Sequence, residues 1–318
     1  MLSDYLAYRN IVKIASGAGT EDAEYIYKLV KIYALAGVQY FDISAHPESV
    51  IAARKAIKDS GTTNEVYINC SMGIPGDPHA DKAKIDPKIC TNCNICYKSC
   101  KNEAIMQGNA CSINYKRCIG CGYCARKCPN KAITMFSASR PVEDIVPELT
   151  PHGVDSLELH MAGDIEYGMT QWKKLEENFK GILSVHINRT VCSDQMLVKM
   201  LDEIVYNREP WTTTIQADGL SMSGDDGPEI TLQALAIAQI VDMQKYPAYL
   251  ISSGGTNSKT ARYMKDFKIN YDGIAYGTYA RNLVKQYLHT PDFYERPVLI
   301  KQAIAIIRRH LFGEVHTI

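Results

Sequence analysis

The chain has 318 residues, with 35 basic and 35 acidic side chains, so its formal net charge is zero. This balance gives no global attraction to nucleic acid, and we predict that the chain binds none. It has no apolar stretch long enough to span a bilayer and no secretory signal pattern, so we expect a cytoplasmic protein without a membrane span.

The first part of the chain alternates between predicted strands and helices. Hydrophobic segments rich in Ile, Val, Tyr and Phe predict strands, and longer segments with helical periodicity predict helices. The strands are predicted at residues 11–15, 40–44 and 66–70, and the helices at residues 21–36 and 48–58. We take residues 1–72 as the first part of the main domain.

Two cysteine runs interrupt this alternation, and each has the spacing C-x2-C-x2-C-x3-C. Three thiolates at such short intervals can bind three irons of one cubane cluster, and the fourth cysteine of each run ligates the other cluster. We therefore predict two [4Fe–4S] clusters. The predicted ligands are Cys90, Cys93, Cys96 and Cys128 for the first cluster, and Cys118, Cys121, Cys124 and Cys100 for the second.

Zinc sites and disulfides are the alternatives for these cysteines. Zinc ribbons use separated cysteine pairs, and disulfide frameworks are typical of small secreted domains. Neither alternative explains two dense runs in a large chain. A short apolar segment follows each run, at residues 103–106 and 131–134, which predicts a ferredoxin-like α+β insertion over residues 73–140.

The alternation resumes after the insertion, over residues 141–318. Strands are predicted at residues 156–160, 182–187, 212–216, 248–252 and 273–276. Helices are predicted at residues 170–179, 194–206, 231–243, 258–267, 278–287 and 297–311. About eight βα units of this length predict a (β/α)8 TIM-like barrel, and a doubly wound open sheet is the alternative.

The last two strands favour the barrel, because glycine-containing segments follow both of them. TIM barrels often bind a phosphate at this position, where backbone N–H groups and helix N-termini attract an anion. The segments predict a site for FMN or another phosphate-bearing ligand. Its predicted residues are Ser253, Gly254, Gly255, Thr256, Gly277 and Thr278.

Polar side chains near the carboxyl ends of the predicted strands are the catalytic candidates. In a barrel these ends meet at one face, and a charged residue inside a strand is costly unless it is paired. The candidates are Lys13, Asp42, His46, Glu158, His160, His186 and Asp218. The alternative is a structural network that links the strand ends. The loop at residues 218–227 is either a lid over this face or a surface turn.

The chain resembles the light-dependent period protein family of cyanobacteria. The resemblance rests on both cysteine runs and on five further segments. These are residues 36–47, 77–79, 216–224, 254–257 and 273–281. It implies an iron–sulfur protein, and the founding members of the family report cellular redox state to the circadian clock.

These observations together predict an iron–sulfur redox protein. We expect two [4Fe–4S] clusters that serve electron transfer or redox sensing and are coupled to a ligand site in the barrel. The alternative is an FMN-dependent oxidoreductase that receives electrons from the clusters. A plain electron-transfer subunit is a third class. A redox partner protein and a small-molecule ligand are the expected partners.

Overall fold

The computed structural model describes residues 1–17, 19–190, 192–219 and 228–313. The strands are β1 (Ile11–Ala15), β2 (Tyr40–Ser44), β3 (Tyr67–Gly73), β4 (Asp81–Ile85), β5 (Ile105–Met106), β6 (Ser112–Ile113), β7 (Ile133–Ser137), β8 (Ser156–His160), β9 (Ile182–Ile187), β10 (Thr213–Asp218), β11 (Tyr249–Ser253) and β12 (Gly273–Tyr276). The helices are α1 (Leu2–Ala7), α2 (Ala23–Leu35), α3 (Pro47–Ser60), α4 (Ile95–Ser99), α5 (Tyr123–Lys127), α6 (Val142–Leu149), α7 (Ile165–Asn178), α8 (Asp194–Tyr206), α9 (Pro228–Gln244), α10 (Thr260–Asp266), α11 (Thr278–Leu288) and α12 (Pro297–Leu311).

Eight of the described strands form a closed parallel barrel in the order β1, β2, β3, β8, β9, β10, β11 and β12. The ring closes because β12 pairs with β1, with Ile11 opposite Gly273. This closure confirms the predicted (β/α)8 barrel, and the open-sheet alternative is wrong. Within the described ranges, no helix is both long and apolar enough to cross a membrane.

Alternation along the strands separates an apolar outer layer from a polar interior. In β1, Val12 and Ile14 belong to the main hydrophobic core, whereas the Lys13 side chain bonds to Glu158 of β8 across the barrel. Successive strand residues point to opposite faces, so one alternating sequence supplies both layers. The interior of the barrel can therefore hold charged groups while the helices pack against an apolar surface.

Helix α1 packs at the amino-terminal end of the barrel. Leu2 and Leu6 of this helix join Ile11, Tyr40 and Tyr249, at or near the starts of their strands, in a second hydrophobic cluster. The sequence analysis missed α1, whose six residues are too few for a clear periodic signal. It also missed α6, an eight-residue helix that contains Pro147.

The cysteine-rich segment lies between β3 and β8 in the chain. There β4 pairs with β7 and β5 pairs with β6, both antiparallel, while α4 and α5 carry cysteines of the two runs. The segment has its own small core, which includes Ala83, Ile105 and Ile133. Its antiparallel sheets are separate from the parallel barrel sheet.

Candidate functional site

A buried charged network occupies the centre of the barrel. Lys13 donates to Glu158 Oε2 at 2.7 Å and to Gln216 Oε1 at 2.7 Å, and both charged side chains are fully buried. The Ser184 hydroxyl and the Gln216 amide also donate to the Glu158 carboxylate, at 2.7 and 3.0 Å. Burial alone would lower the pKa of Lys13, but the charge of Glu158 raises it, so the pair stays ionised.

Asp42 of β2 lies next to this network. It accepts hydrogen bonds from the Asn69 amide, at 2.6 Å, and from the Ser71 hydroxyl. Burial raises the pKa of Asp42 above its usual value. Its partners on β3 show that the strand-end carboxylates belong to one connected polar layer.

Three imidazoles and a carboxylate meet above the network, and we call Asp77, His79, His160 and His186 the histidine cluster. The His160 and His186 rings are stacked, with centroids 4.0 Å apart, because these residues are direct neighbours on β8 and β9. The His79 ring meets both edge-on, at 4.8 and 5.6 Å. Asp77 lies within 2.9 Å of His79 Nδ1 and 3.1 Å of His160 Nδ1.

Contacts between carboxylates and imidazoles shift the pKa values of His160 and Asp77. His160 Nε2 lies 3.2 Å from Glu158 Oε1, so both of its ring nitrogens face a carboxylate. Burial alone would lower the pKa of His160, but the hydrogen bonds to Asp77 and Glu158 raise it to about 10. Burial would raise the pKa of Asp77, yet the two histidines hold it well below its usual range.

A cavity of about 510 Å³ opens above this face of the barrel. Its wall contains His79, His160 and His186 of the histidine cluster, together with Gln216 and Asp218. The opposite wall comes from the cysteine-rich segment and includes Cys100, Cys118, Cys121 and Cys124. A molecule bound in this cavity would contact the barrel and the second cysteine set together.

The other predicted cysteine set lines a separate, small cavity. This cavity is bounded by Cys90, Cys93, Cys96 and Cys128, and also by Cys111, which lies outside both runs. None of the described cysteines forms a disulfide. Each cavity is thus lined by one of the two four-cysteine sets predicted from the spacing. The assignment of these cysteines as cluster ligands stays a prediction.

The two runs have the same local backbone, 28 residues apart. Left-handed residues recur at Asn92 and Gly120 and at Asn94 and Gly122. The Ala104 N–H lies 3.3 Å from Cys100 Sγ, and the Ala132 N–H lies 3.3 Å from Cys128 Sγ. Hydrogen bonds to cysteine sulfur are one of the features that tune cluster potentials. The geometry of each loop therefore fits an iron–sulfur cluster.

A buried lysine joins the cysteine-rich segment to the barrel. Lys82 donates to the Gly19 carbonyl at 2.8 Å and to the Cys118 carbonyl at 2.8 Å, and it forms an ion pair with Glu21 at 2.7 Å. Burial would raise the pKa of Glu21, but His46 and Lys82 lower it to about 2. This contact holds the second cysteine run against the loop after β1.

The second cysteine run also fits tightly against the turn that carries His79. A side-chain carbon added at Gly120 would lie 2.3 Å from the Asp81 carbonyl oxygen and 2.4 Å from the Pro78 carbonyl oxygen. Gly120 also has a left-handed φ of 75°. Only glycine permits this close approach of two backbones.

The six predicted phosphate-site residues all line the large cavity. Helix α11 begins there with Gly277 at its N-cap and no side chain capping it. Arg281 lines the same wall, donates to the Ala15 carbonyl and the Thr278 hydroxyl, and forms no ion pair with any described carboxylate. This end of the cavity offers N–H groups and a positive charge to an anion.

The other half of the predicted phosphate site has a packing role as well. A side-chain carbon added at Gly254 would lie 1.8 Å from Asp218 Oδ1, and one added at Gly255 would lie 2.1 Å from Ile230 Cγ2. Asp218 in turn lies 3.1 Å from His186 Nε2. These glycines make room for neighbouring side chains, so α11 and Arg281 form the more favourable anion end.

The catalytic candidates fall into three groups. Asp42, His160, His186 and Asp218 line the large cavity, whereas Lys13 and Glu158 are buried beneath it. His46 is separate, because it precedes α3 and lies 3.5 Å from Glu21. In the predicted loop 218–227, residues 220–227 lie outside the described part of the chain.

The candidate list omitted three residues that the structure brings to this site. Asp77 and His79 complete the histidine cluster, and Arg281 lies at the anion end of the cavity. A signal for the first two was available, because the segment 77–79 follows the third predicted strand and belongs to the family resemblance. Arg281 lies one helical turn after Gly277 and is detectable by that spacing.

Comparison with known proteins identifies the family. A model described as the light-dependent period A C-terminal domain matches residues 148–308, half of the chain. The chain belongs to the light-dependent period A family. It is 27% identical to Light dependent period A of Synechococcus elongatus over 268 residues, which cover 81% of this chain and 74% of that protein. The resemblance seen in the sequence is thereby confirmed.

A second model, described as a 4Fe-4S binding domain, matches residues 112–134. This member of the light-dependent period A family is therefore an iron–sulfur protein with a ferredoxin-type segment. The matched residues contain the whole second cysteine run.

Solved structures similar to this chain include an aldolase and a dihydrodipicolinate synthase. The YdjI aldolase from Escherichia coli K12 has 10% identity and a TM-score of 0.49, covering 98% of this chain and 95% of that one. The dihydrodipicolinate synthase from Oceanobacillus iheyensis has 7% identity and a TM-score of 0.44, covering 96% and 81%.

Proposed function

We propose that this family member is a redox protein in which two [4Fe–4S] clusters exchange electrons with a ligand in the barrel cavity. The observation that carries this proposal is the shared wall of the large cavity. Cys100, Cys118, Cys121 and Cys124 line it together with His79, His160 and His186. A cluster on that cysteine set would lie beside the bound molecule.

The proposed electron path enters at the first cluster. Among the eight predicted ligands, Cys93 is the exposed one, and its set lines a separate small cavity. A redox partner protein can approach a cluster at that exposed edge. Electrons would then pass to the second cluster and on to the cavity ligand, for transfer or for redox sensing.

This proposal treats residues 1–72 and 141–318 as the barrel and residues 73–140 as the inserted electron carrier. Each cluster is a one-electron carrier. The residues of the chain hold the clusters, exclude water from the barrel interior and supply charged groups around the ligand.

Metal analysis of anaerobically purified protein tests the cluster assignment. We expect about eight irons per chain, and we expect Cys93→Ala and Cys121→Ala each to lose about half of that iron. Cys192→Ala, which changes a cysteine outside both runs, should keep the full content. Undiminished iron in Cys121→Ala would contradict the assignment of the second cluster.

The same two cysteine variants test the electron path. After stoichiometric reduction, the wild-type protein should pass electrons to a molecule bound in the cavity. Cys121→Ala should lose this transfer even when the first cluster is reduced. Cys93→Ala should keep transfer from the second cluster when that cluster is reduced chemically.

An FMN-dependent oxidoreductase is the second candidate function. It is supported by the uncapped start of α11 and by Arg281, which together present an anion site to the large cavity. FMN bound there would supply two-electron chemistry beside the second cysteine set. We expect Arg281→Gln to weaken FMN binding by about 10- to 150-fold, since a charge-assisted hydrogen bond contributes about 1.5–3 kcal/mol.

Anaerobic titration with FMN measures this affinity. The control is Arg262→Gln, because Arg262 lies on the surface of α10 in an ion pair with Asp266. Equal affinities for the wild type and Arg281→Gln would exclude Arg281 from the flavin site. A wild type that binds no added FMN would remove the flavin alternative and leave the electron-transfer proposal intact.

A further inference from the structure

We propose that Asp77, His79 and His160 bind one divalent transition-metal ion, Fe²⁺ or Zn²⁺, at the mouth of the barrel, separate from the cysteine-bound clusters. The three residues offer ligand atoms that all lie within 4.8 Å of one another. Two imidazoles and one carboxylate form a donor set typical of non-haem ferrous and zinc sites.

The spacing of the donors fits a shared ion. Metal bonds to imidazole nitrogen and carboxylate oxygen are about 2.0–2.2 Å long, so two ligands on one ion lie about 2.8–3.6 Å apart. His79 Nδ1 and His160 Nδ1 lie 2.9 and 3.1 Å from the two oxygens of Asp77. Small side-chain movements suffice to bring one donor of each residue onto the same ion.

The surroundings provide the second layer that metal-bound histidines require. A ligating histidine usually donates its other ring N–H to a carboxylate, which fixes the ring and its tautomer. His160 Nε2 faces Glu158 Oε1 at 3.2 Å and can keep that contact, while Nδ1, which lies 3.1 Å from Asp77 Oδ2, would release its proton on binding the metal. The stacked His186 has the same arrangement, with its Nε2 3.1 Å from Asp218 Oδ2.

An unpartnered nitrogen supplies independent support. His186 is 97% buried, at 3% relative exposure, and its Nδ1 has no hydrogen-bond partner within the described part of the chain. A buried polar group without a hydrogen-bond partner is energetically unfavourable. The His160 and His186 rings are stacked, with centroids 4.0 Å apart. A water bound to the metal beside His160 would therefore lie close to His186 and would provide the hydrogen-bond partner that its Nδ1 lacks.

The position of the site suggests its use. Asp77 and His79 lie on the turn against which Gly120 of the second cysteine run is packed, and both His79 and His160 line the large cavity. A metal there would act as a Lewis acid on an anionic ligand in the cavity. None of the three proposed ligands is a cysteine, so the metal site shares no ligand with the clusters. The proposal therefore does not depend on electron transfer.

Isotope-selective Mössbauer spectroscopy tests the site in the cluster-loaded protein. The clusters are assembled anaerobically with natural iron, loosely bound metal is removed with a chelator, and one equivalent of ⁵⁷Fe²⁺ is added. We expect a high-spin ferrous signal with nitrogen and oxygen ligands, which Zn²⁺ displaces while cluster absorbance stays constant.

Variants then test which residues bind the added ferrous ion. We expect Asp77→Asn and His79→Gln to weaken ferrous binding by more than about 100-fold, a larger loss than the 10–100-fold typical of outer residues. His289→Gln is the matched control, because His289 lines the same cavity and lies beside Glu103 instead. The cluster iron and sulfide content of every variant is measured in parallel.

Three results would overturn the proposal. These are no ferrous binding by the wild type, binding that survives both Asp77→Asn and His79→Gln, and added iron that appears only as cluster iron. The first and third use the wild-type protein alone, so they decide the question even if a variant fails to assemble. Loss of cluster iron in Cys121→Ala, by contrast, bears on the proposed function and leaves this site untouched.

Discussion

The first and second cysteine runs have left-handed residues at matching positions, yet asparagine fills these positions in the first run and glycine in the second. Asn92 and Asn94 have φ values of 54° and 61°, and Gly120 and Gly122 have values of 75° and 65°. Asparagine tolerates this conformation through local hydrogen bonds, and Asn92 donates to the Gly108 carbonyl at 2.8 Å. Gly120 has no room for a side chain at all.

The difference shows that the same loop backbone occurs in two different environments. The first loop needs residues that tolerate a left-handed backbone, and it leaves Cys93 exposed. The second loop also needs residues that tolerate a left-handed backbone, and in addition it packs against the segment from Pro78 to Asp81. Tertiary contact with the entrance of the barrel, and not cluster geometry alone, makes glycine necessary there.

The largest expected effect comes from placing alanine at the matching positions of the two loops, Gly120 and Asn92. Gly120→Ala combines a strained left-handed alanine, costing about 1–2 kcal/mol, with a backbone clash of about 1–3 kcal/mol. Asn92→Ala adds no new clash, so it should lose only about 1–2 kcal/mol. Anaerobic thermal unfolding and iron content measure both variants. Equal losses would mean that the second loop is not pressed against the barrel.

A smaller effect is expected for the ion pair that fastens the second run. Glu21→Gln should lower the free energy of unfolding at pH 7 by about 2 kcal/mol, because Lys82 loses a charged partner. The folded pKa of Glu21 is about 2, below its ordinary value of 4.5. Its contribution is therefore complete above pH 4.5 and disappears as the pH falls towards 2.

Denaturant unfolding of the wild type and Glu21→Gln at several pH values measures this contribution. The difference between the two proteins cancels acid effects that they share, including damage to clusters. The gap should shrink as the pH falls from 4.5 towards the folded pKa of about 2. A gap that widens below pH 4.5 would contradict the assigned role of Glu21.

The smallest expected effect compares the residues that follow the fourth cysteine of each run. Pro129 follows Cys128, whereas Lys101 follows Cys100. Both cysteines have extended backbones, with ψ values of 103° at Cys100 and 113° at Cys128, as a following proline requires. Pro129→Lys, which gives the second run the residue of the first, should therefore keep the full iron content and destabilise the protein by about 0.4–1 kcal/mol, measured by thermal unfolding. A loss of iron in this variant would break the equivalence of the two runs.

Periodic patterns in the sequence predicted most of the fold. About eight βα units were visible because buried strands such as β8 and β9 form short apolar runs and the helices between them are amphipathic. The predicted bounds of β1, β2, β8, β9 and β12 agree with the structure. Short elements such as α1 escaped detection, since six residues give too little periodic signal and the packing of Leu2 and Leu6 at the end of the barrel stabilises the helix.

The candidate site was only partly predictable. The charged strand residues Lys13 and Glu158 stood out because an interior charge needs a partner, and the structure pairs them at 2.7 Å. His46 was a candidate because it follows the second predicted strand, but it lies beside Glu21, apart from the cavity lining. A residue just after a strand can turn towards the barrel axis or away from it, and sequence spacing does not distinguish these directions.

The sequence by itself determined the family, the iron–sulfur character and the barrel, because cysteine spacing and βα periodicity are local properties of the chain. Tertiary structure alone decided that Asp77 and His79 join His160 and His186, which are 81 to 109 residues away in the sequence. It also decided that the cysteine set of Cys100, Cys118, Cys121 and Cys124, and not the other set, faces the barrel cavity. The physical reason is that barrel closure and the packing of Gly120 and Lys82 bring distant segments together, and no local pattern encodes that meeting.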